Sequence, residues 1–343
     1  MANWQGVSMA AMLLILQAAR AGGFSAGMEE RTIFSPARGG NVSVSVWYPA
    51  SGDTPARVIG ASPIFEGVAA APGADMAAGR HPLLLLAHGG LRAAAGQGDW
   101  LAGLLAEHGY IVLNVQAPRA RDAQAAAREA WLRPADLSAA LDAVLQDSRL
   151  ESHVRDGRIA AVGFLRGGTS ALMLGGARLD AKRYQASCDS GVNSGPDCAW
   201  FVKSRVDLRA LPAGPLSQSW RDERVRAVLA VDPELSDSLD GESLGAMRVP
   251  VSLANLGVLA DGAGIAPANP LLRNLPEGGY KQFAPATPYS AFKLCTARAI
   301  KLLAEEGDDV AVCADGRGER AAVHEEIARW ILQRLAAAGI AGQ

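Results

Sequence analysis

The stretch Ile159-Ala160-Ala161-Val162-Gly163-Phe164-Leu165-Arg166-Gly167-Gly168-Thr169 reads as a short apolar strand, a turn flanked by glycines and the first residues of a helix. This is the context of a nucleophile elbow. Small residues there let strand and helix approach closely around one strained position, and the next backbone N–H points toward an oxyanion. The pattern G-x-S-x-G needs a hydroxyl at its centre. Here the centre is Leu165, so the turn predicts the architecture and withholds the attacking atom.

Working outward, apolar runs of strand length recur at Val42 to Tyr48, Leu83 to Ala87, Ile111 to Val115, Ala227 to Val231, Val249 to Ala254 and Tyr280 to Ala284. Segments of helical period lie between them, at Trp100 to Glu107, Pro134 to Gln146, Thr169 to Gly176 and Ala321 to Leu335. Strand alternating with helix predicts one α/β domain over 27–343, built on a mostly parallel, doubly wound sheet with antiparallel strands at its N-terminal side. Two stretches break the rhythm, 56–80 and 184–220, and read as insertions, the second a cap. Ligands of such a sheet bind at the carboxyl ends of its strands.

Composition removes several functions. Lys and Arg number 33 against 35 Asp and Glu, a net charge of −2, which gives no electrostatic reason to expect nucleic acid. No apolar run reaches the roughly 18 to 20 residues that a membrane-spanning helix needs. Met9 to Ala19 has the length of a signal-peptide apolar core, and Ala19-Arg20-Ala21 offers a cleavage site. No Lys or Arg precedes that core, so 1–26 reads either as a signal peptide or as an N-terminal helix. The four cysteines group as Cys188 with Cys198 and Cys295 with Cys313. Two local disulfides fit, each contributing about 3 kcal/mol on the chain-entropy model; four buried thiols are the alternative. Neither spacing suits zinc or thioredoxin chemistry. Disulfides together with a leader point to a periplasmic or secreted protein.

Several further motifs occur in order along the chain: His81-Pro82-Leu83-Leu84-Leu85-Leu86-Ala87-His88-Gly89-Gly90, Trp131-Leu132-Arg133-Pro134-Ala135-Asp136-Leu137, Val206-Asp207-Leu208-Arg209, Val231-Asp232-Pro233, Tyr289-Ser290-Ala291-Phe292-Lys293-Leu294-Cys295 and Arg320-Ala321-Ala322-Val323-His324. With the elbow, they resemble the α/β-hydrolase superfamily from about Met28 onward, most closely the secreted serine esterases known as predicted dienelactone hydrolases, related to the platelet-activating-factor acetylhydrolases. The resemblance implies an α/β-hydrolase fold and carboxylic ester hydrolysis. It places the nucleophile at Leu165, the triad acid at Asp232, the general base at Pro288 and the oxyanion donors at the backbone of Gly90 and Arg166.

The chain departs from that pattern where chemistry depends on it. A hydrocarbon at 165 cannot attack, and a proline at 288 cannot accept a proton. Losing the Ser or the His of such a triad costs about a million-fold in turnover, roughly 8 kcal/mol of barrier. Asp232 then has no imidazole to orient. Substitute groups are Thr169 and Ser170, which follow the elbow on the helix, where a hydroxyl tends to bond back to a carbonyl, and Ser290 with His324. Of the five histidines, His324 beside Glu325 and Glu326 suits a structural hydrogen bond, and His-Glu-Glu lacks the second His of a zinc protease. Arg166 at a helix start suits an anion pocket or an ion pair with a nearby carboxylate. Gly96-Gln97-Gly98 is too short for a dinucleotide fingerprint, and nothing points to a metal or a cofactor. The expectation is a protein of esterase descent without serine-hydrolase chemistry, its crevice open to a small apolar or ester-like ligand. An esterase or lactonase with a non-standard nucleophile and base is the alternative, as is a non-catalytic protein that binds an apolar or anionic ligand. Oligomeric state is not legible.

Overall fold

A computed structural model of the chain describes residues 23–189, 197–257 and 279–342. The proposed leader, apart from 23–26, lies outside these residues. Among the described residues ten strands form one sheet: β1 (Ser25–Ser35), β2 (Gly40–Ala50), β3 (Arg57–Ile59), β4 (Val68–Pro72), β5 (His81–Ala87), β6 (Ile111–Gln116), β7 (Val154–Phe164), β8 (Val225–Val231), β9 (Val251–Leu256) and β10 (Tyr280–Phe283), in the spatial order β10-β9-β8-β7-β5-β6-β2-β1-β4-β3. From β10 to β6 every neighbouring pair is parallel. β2 runs antiparallel to both β6 and β1. The segment around 56–80, which periodicity left unassigned, supplies the short edge pair β3 and β4.

Helices cover both faces because the central strands are apolar on both. On β5, Leu83 and Leu85 join one core with Leu137, Leu141, Leu172 and Leu174, from the helices Glu129–Gln146 and Arg166–Leu174. Leu84 and Leu86 join the other with Leu101, Ile327 and Ile331, from the helices Asp99–Glu107 and Arg317–Ala337. The helix read from Pro134 in fact begins at Glu129 and carries Pro134 inside it. Proline in a helix interior is costly, but Ala130, Trp131 and Leu132 are buried in the core, and Glu129 and Asp136 both grip the Arg38 guanidinium.

Both disulfides form, Cys188–Cys198 and Cys295–Cys313, and no described cysteine is free. The insertion at 184–220 carries short helical turns, Cys198–Lys203 and Ala213–Ser217 among them. It reaches the carboxyl end of the sheet through Asp197, which lines a cavity there. Among the described residues no helix is long and apolar enough to cross a membrane.

Candidate active-site cavity

β5 lies between β6 and β7 although β6 follows it in sequence, so successive crossovers leave β5 toward opposite sides and open a crevice at the strand ends. The cavity found there has a volume of about 1080 Å³, and Leu165, Asp232 and Pro288 all line it, with Gly90 and His88. The three residues picked out from separate stretches of the sequence thus line the same cavity.

The turn after β7 has the strained geometry expected of an elbow. Leu165 sits at φ 55°, ψ −124°, a region that a branched side chain occupies at a cost of about 1–3 kcal/mol. Its N–H bonds to the Val231 carbonyl at 2.9 Å and its carbonyl accepts from Gly168 at 2.9 Å, so both ends are fixed. The flanking glycines are required. A Cβ on Gly163 would lie 2.1 Å from the Gly167 carbonyl oxygen, and one on Gly167 would lie 2.1 Å from the Ala87 carbonyl oxygen.

Opposite the elbow, the loop after β5 is held from behind. Gly89 takes φ 94°, and Arg133 donates to the carbonyls of Gly89 at 2.7 Å and Gly90 at 3.0 Å. Arg166 is buried, with Nη2 3.2 Å from Asp197 and Nε 3.0 Å from Glu234. Of the two readings of Arg166 the ion pair is the one observed, inside the protein and not on its surface. The guanidinium thus faces two carboxylates, with Nη1 left without a hydrogen-bond partner among the described residues.

Asp232 follows β8 at φ 44°. Its Oδ1 accepts the Leu256 N–H at 3.0 Å. Burial, reinforced by the charge of Glu234 and opposed by that hydrogen bond, pushes its carboxyl up to about 7. Pro288 lies in a turn beyond β10 in which the Ser290 N–H bonds to the Thr287 carbonyl at 2.9 Å. Proline suits the second position of such a turn, where its fixed φ is already correct and its missing N–H is not needed.

The substitute groups do not assemble. Ser170 Oγ donates to the Arg166 carbonyl at 3.0 Å, and Ser290 Oγ donates to Asp315 at 2.8 Å. Thr169 Oγ1 donates to the Glu234 carbonyl. His324 bonds through Nε2 to the Phe292 carbonyl at 2.8 Å and stacks on Trp100 at 3.7 Å, the structural role its surroundings suggested. Ser170, Ser290 and His324 therefore form no dyad. The imidazole that does line the cavity is His88, whose Nε2 donates to the Ala291 carbonyl at 2.8 Å. Burial lowers its pKa to about 3, which makes it a poor proton acceptor. Its Nδ1 is enclosed and has no partner among the described residues, and the ring packs between Phe164 and Phe292.

Sequence reading missed the polar frame beneath the cavity. Lys293 donates through Nζ to the Gly60 carbonyl at 2.6 Å and through its backbone N–H to Gln97 Oε1 at 3.0 Å, while Asn114 donates to Asp99 at 2.8 Å. Arg320 bonds to Asp315 and to the Lys293 carbonyl. The signal was present: Arg133, Asp136, Lys293 and Arg320 all stand in the quoted motifs, which turn out to mark framework residues more than reacting ones. Among the described residues no cluster of His, Cys, Asp and Glu suits a metal ion.

Neither a protein-family model nor a curated protein matches the chain. A solved ferulic acid esterase from Streptomyces cinnamoneus is similar over 92% of this chain and 92% of its own, with a TM-score of 0.50 and 16% sequence identity. This is an α/β-hydrolase fold. Esterase Est22 with p-nitrophenol aligns over 61% of this chain and 44% of its own, with a TM-score of 0.33 and 14% identity. On the α/β-hydrolase fold the positions of Leu165, Asp232 and Pro288 follow β7, β8 and β10 respectively, at the carboxyl ends of parallel strands.

Proposed function

We propose that this protein descends from carboxylic ester hydrolases of the dienelactone hydrolase type and no longer carries out serine-hydrolase chemistry, its cavity serving to bind a small ligand. Leu165 takes the nucleophile position, Asp232 the acid position and Pro288 the base position, with backbone donors at Gly90 and Arg166. One observation carries the reading: a leucine occupies a strained elbow position, φ 55°, between glycines that admit no side chain. Nothing about a leucine favours that conformation, so the turn is best understood as inherited from a chain that used it. The disulfides suit an oxidising compartment, periplasmic or extracellular.

The test has two arms. The natural chain should neither hydrolyse p-nitrophenyl esters nor take up a serine-directed fluorophosphonate probe. Leu165→Ser combined with Pro288→His should gain hydrolysis that neither single change produces, since the two groups act as a unit. Labelling of the natural chain that one Ser substitution abolishes would overturn the reading, as would an inert but folded double variant.

A further inference from the structure

The buried carboxyls lining the cavity are not treated alike. Asp136 faces Arg38, Asp197 faces Arg166 and Arg92, and Glu234 faces Arg166. Asp232, buried to 4% exposure, faces no arginine, lysine or histidine within ion-pair distance among the described residues. Its Oδ1 has the Leu256 N–H, and its other oxygen has no hydrogen-bond partner among them. A buried carboxylate with neither a counter-charge nor a full set of donors is expensive to ionise. The same cavity is also lined by the apolar side chains of Leu91, Leu165, Pro288 and Phe292.

We propose that the cavity takes an organic cation, a protonated nitrogen base with an apolar body, whose N–H is received by the unpartnered oxygen of Asp232. The inference rests on the reading of this cavity as a ligand site and adds the class of ligand. Three features set the sign of the charge. The buried arginines of the wall, Arg133 and Arg166, already face carboxylates, and Arg119, which lines the cavity without such a partner among the described residues, is exposed to solvent. Glu234, though it faces Arg166, lies near enough to contribute to raising the Asp232 carboxyl. An N–H⁺ donor to a carboxylate makes a hydrogen bond roughly twice as strong as a neutral one, and it supplies the missing counter-charge at the same time. The apolar body would lie against Leu165 and Pro288, where neither side chain competes for polar groups.

The experiment compares three probes of one shape on the full-length oxidised protein by calorimetry: benzylamine, benzyl alcohol and benzoate. Benzylamine should bind at least about tenfold tighter than benzyl alcohol, and benzoate weakest of all. Asp232→Asn, which keeps an acceptor for the Leu256 N–H, should bring benzylamine and benzyl alcohol to within about threefold of each other. Equal binding of amine and alcohol, a preference for benzoate, or no binding of any probe overturns the proposal, and so does a cation preference that survives in a folded Asp232→Asn chain. If that variant does not fold, the order of the three probes on the natural protein still decides. Failure here leaves the ancestry of the elbow untouched, because that is judged separately by gain of hydrolysis in the double variant.

Discussion

On the proposed reading the elbow and the loop after β10 each gave up a reacting side chain, and the two differ in what holds their backbone. At the elbow the backbone has kept its strain. Gly163, Gly167 and Ala87 meet with no room for another carbon, so packing between β7, β5 and the helix dictates the turn whatever side chain stands at 165. At the other loop no residue from Thr287 to Ser290 takes a positive φ, and the turn is closed by its own hydrogen bonds and by Asp315. Proline there reinforces the turn it occupies. Close packing therefore sets the backbone at the elbow, while local hydrogen bonds that suit the residue now present set it at the other loop.

The largest expected effect tests the packed side of this contrast. Gly163→Ala or Gly167→Ala should cost more than about 3 kcal/mol, through overpacking against backbone that cannot yield; urea unfolding would show it, and a loss under about 1 kcal/mol would break the account of the elbow. Next, opening the Cys295–Cys313 disulfide behind the second loop by a double Ser substitution should cost about 3 kcal/mol, read as a fall in melting temperature.

Asp232 stands between the two regions, and its effect depends on pH. In the unfolded chain this carboxyl loses its proton near the ordinary 3.8, and in the folded chain near 7. Between those values folding takes up a proton, so its contribution to stability falls as pH rises through the window and levels off above it. Asp232→Asn removes the penalty. The variant should match the natural chain near pH 4 and exceed it at pH 8 by up to about 4 kcal/mol; a difference that does not change with pH would contradict the burial argument. The smallest effect sharpens the local side: Pro288→Ala should lose only about 0.5–1 kcal/mol, through added freedom in the unfolded chain.

The sheet was legible because its central strands are continuous apolar runs, and each such run became a strand, with β7 longer than its apolar part and β9 starting two residues later than read. The short strands β3 and β4 were not, since three residues, and five that are nearly all small, carry no period. The elbow could be read from its glycines, and Asp232 from its place after an apolar strand. The ion pairs around Arg166 could not. Asp197 and Glu234 lie far from it in sequence beyond the turn itself, and only the folded chain brings an insertion and a strand end to the same guanidinium.

Arg133 holds the carbonyls of Gly89 and Gly90 from outside the cavity, so the orientation of that loop owes nothing to any reacting group. Mutations at 165 and 288 can accumulate without disturbing it. Some leucine codons become serine, and some proline codons histidine, by a single base change. A lineage selected only for holding a ligand would thus carry, unexpressed, most of the framework from which ester cleavage could arise again.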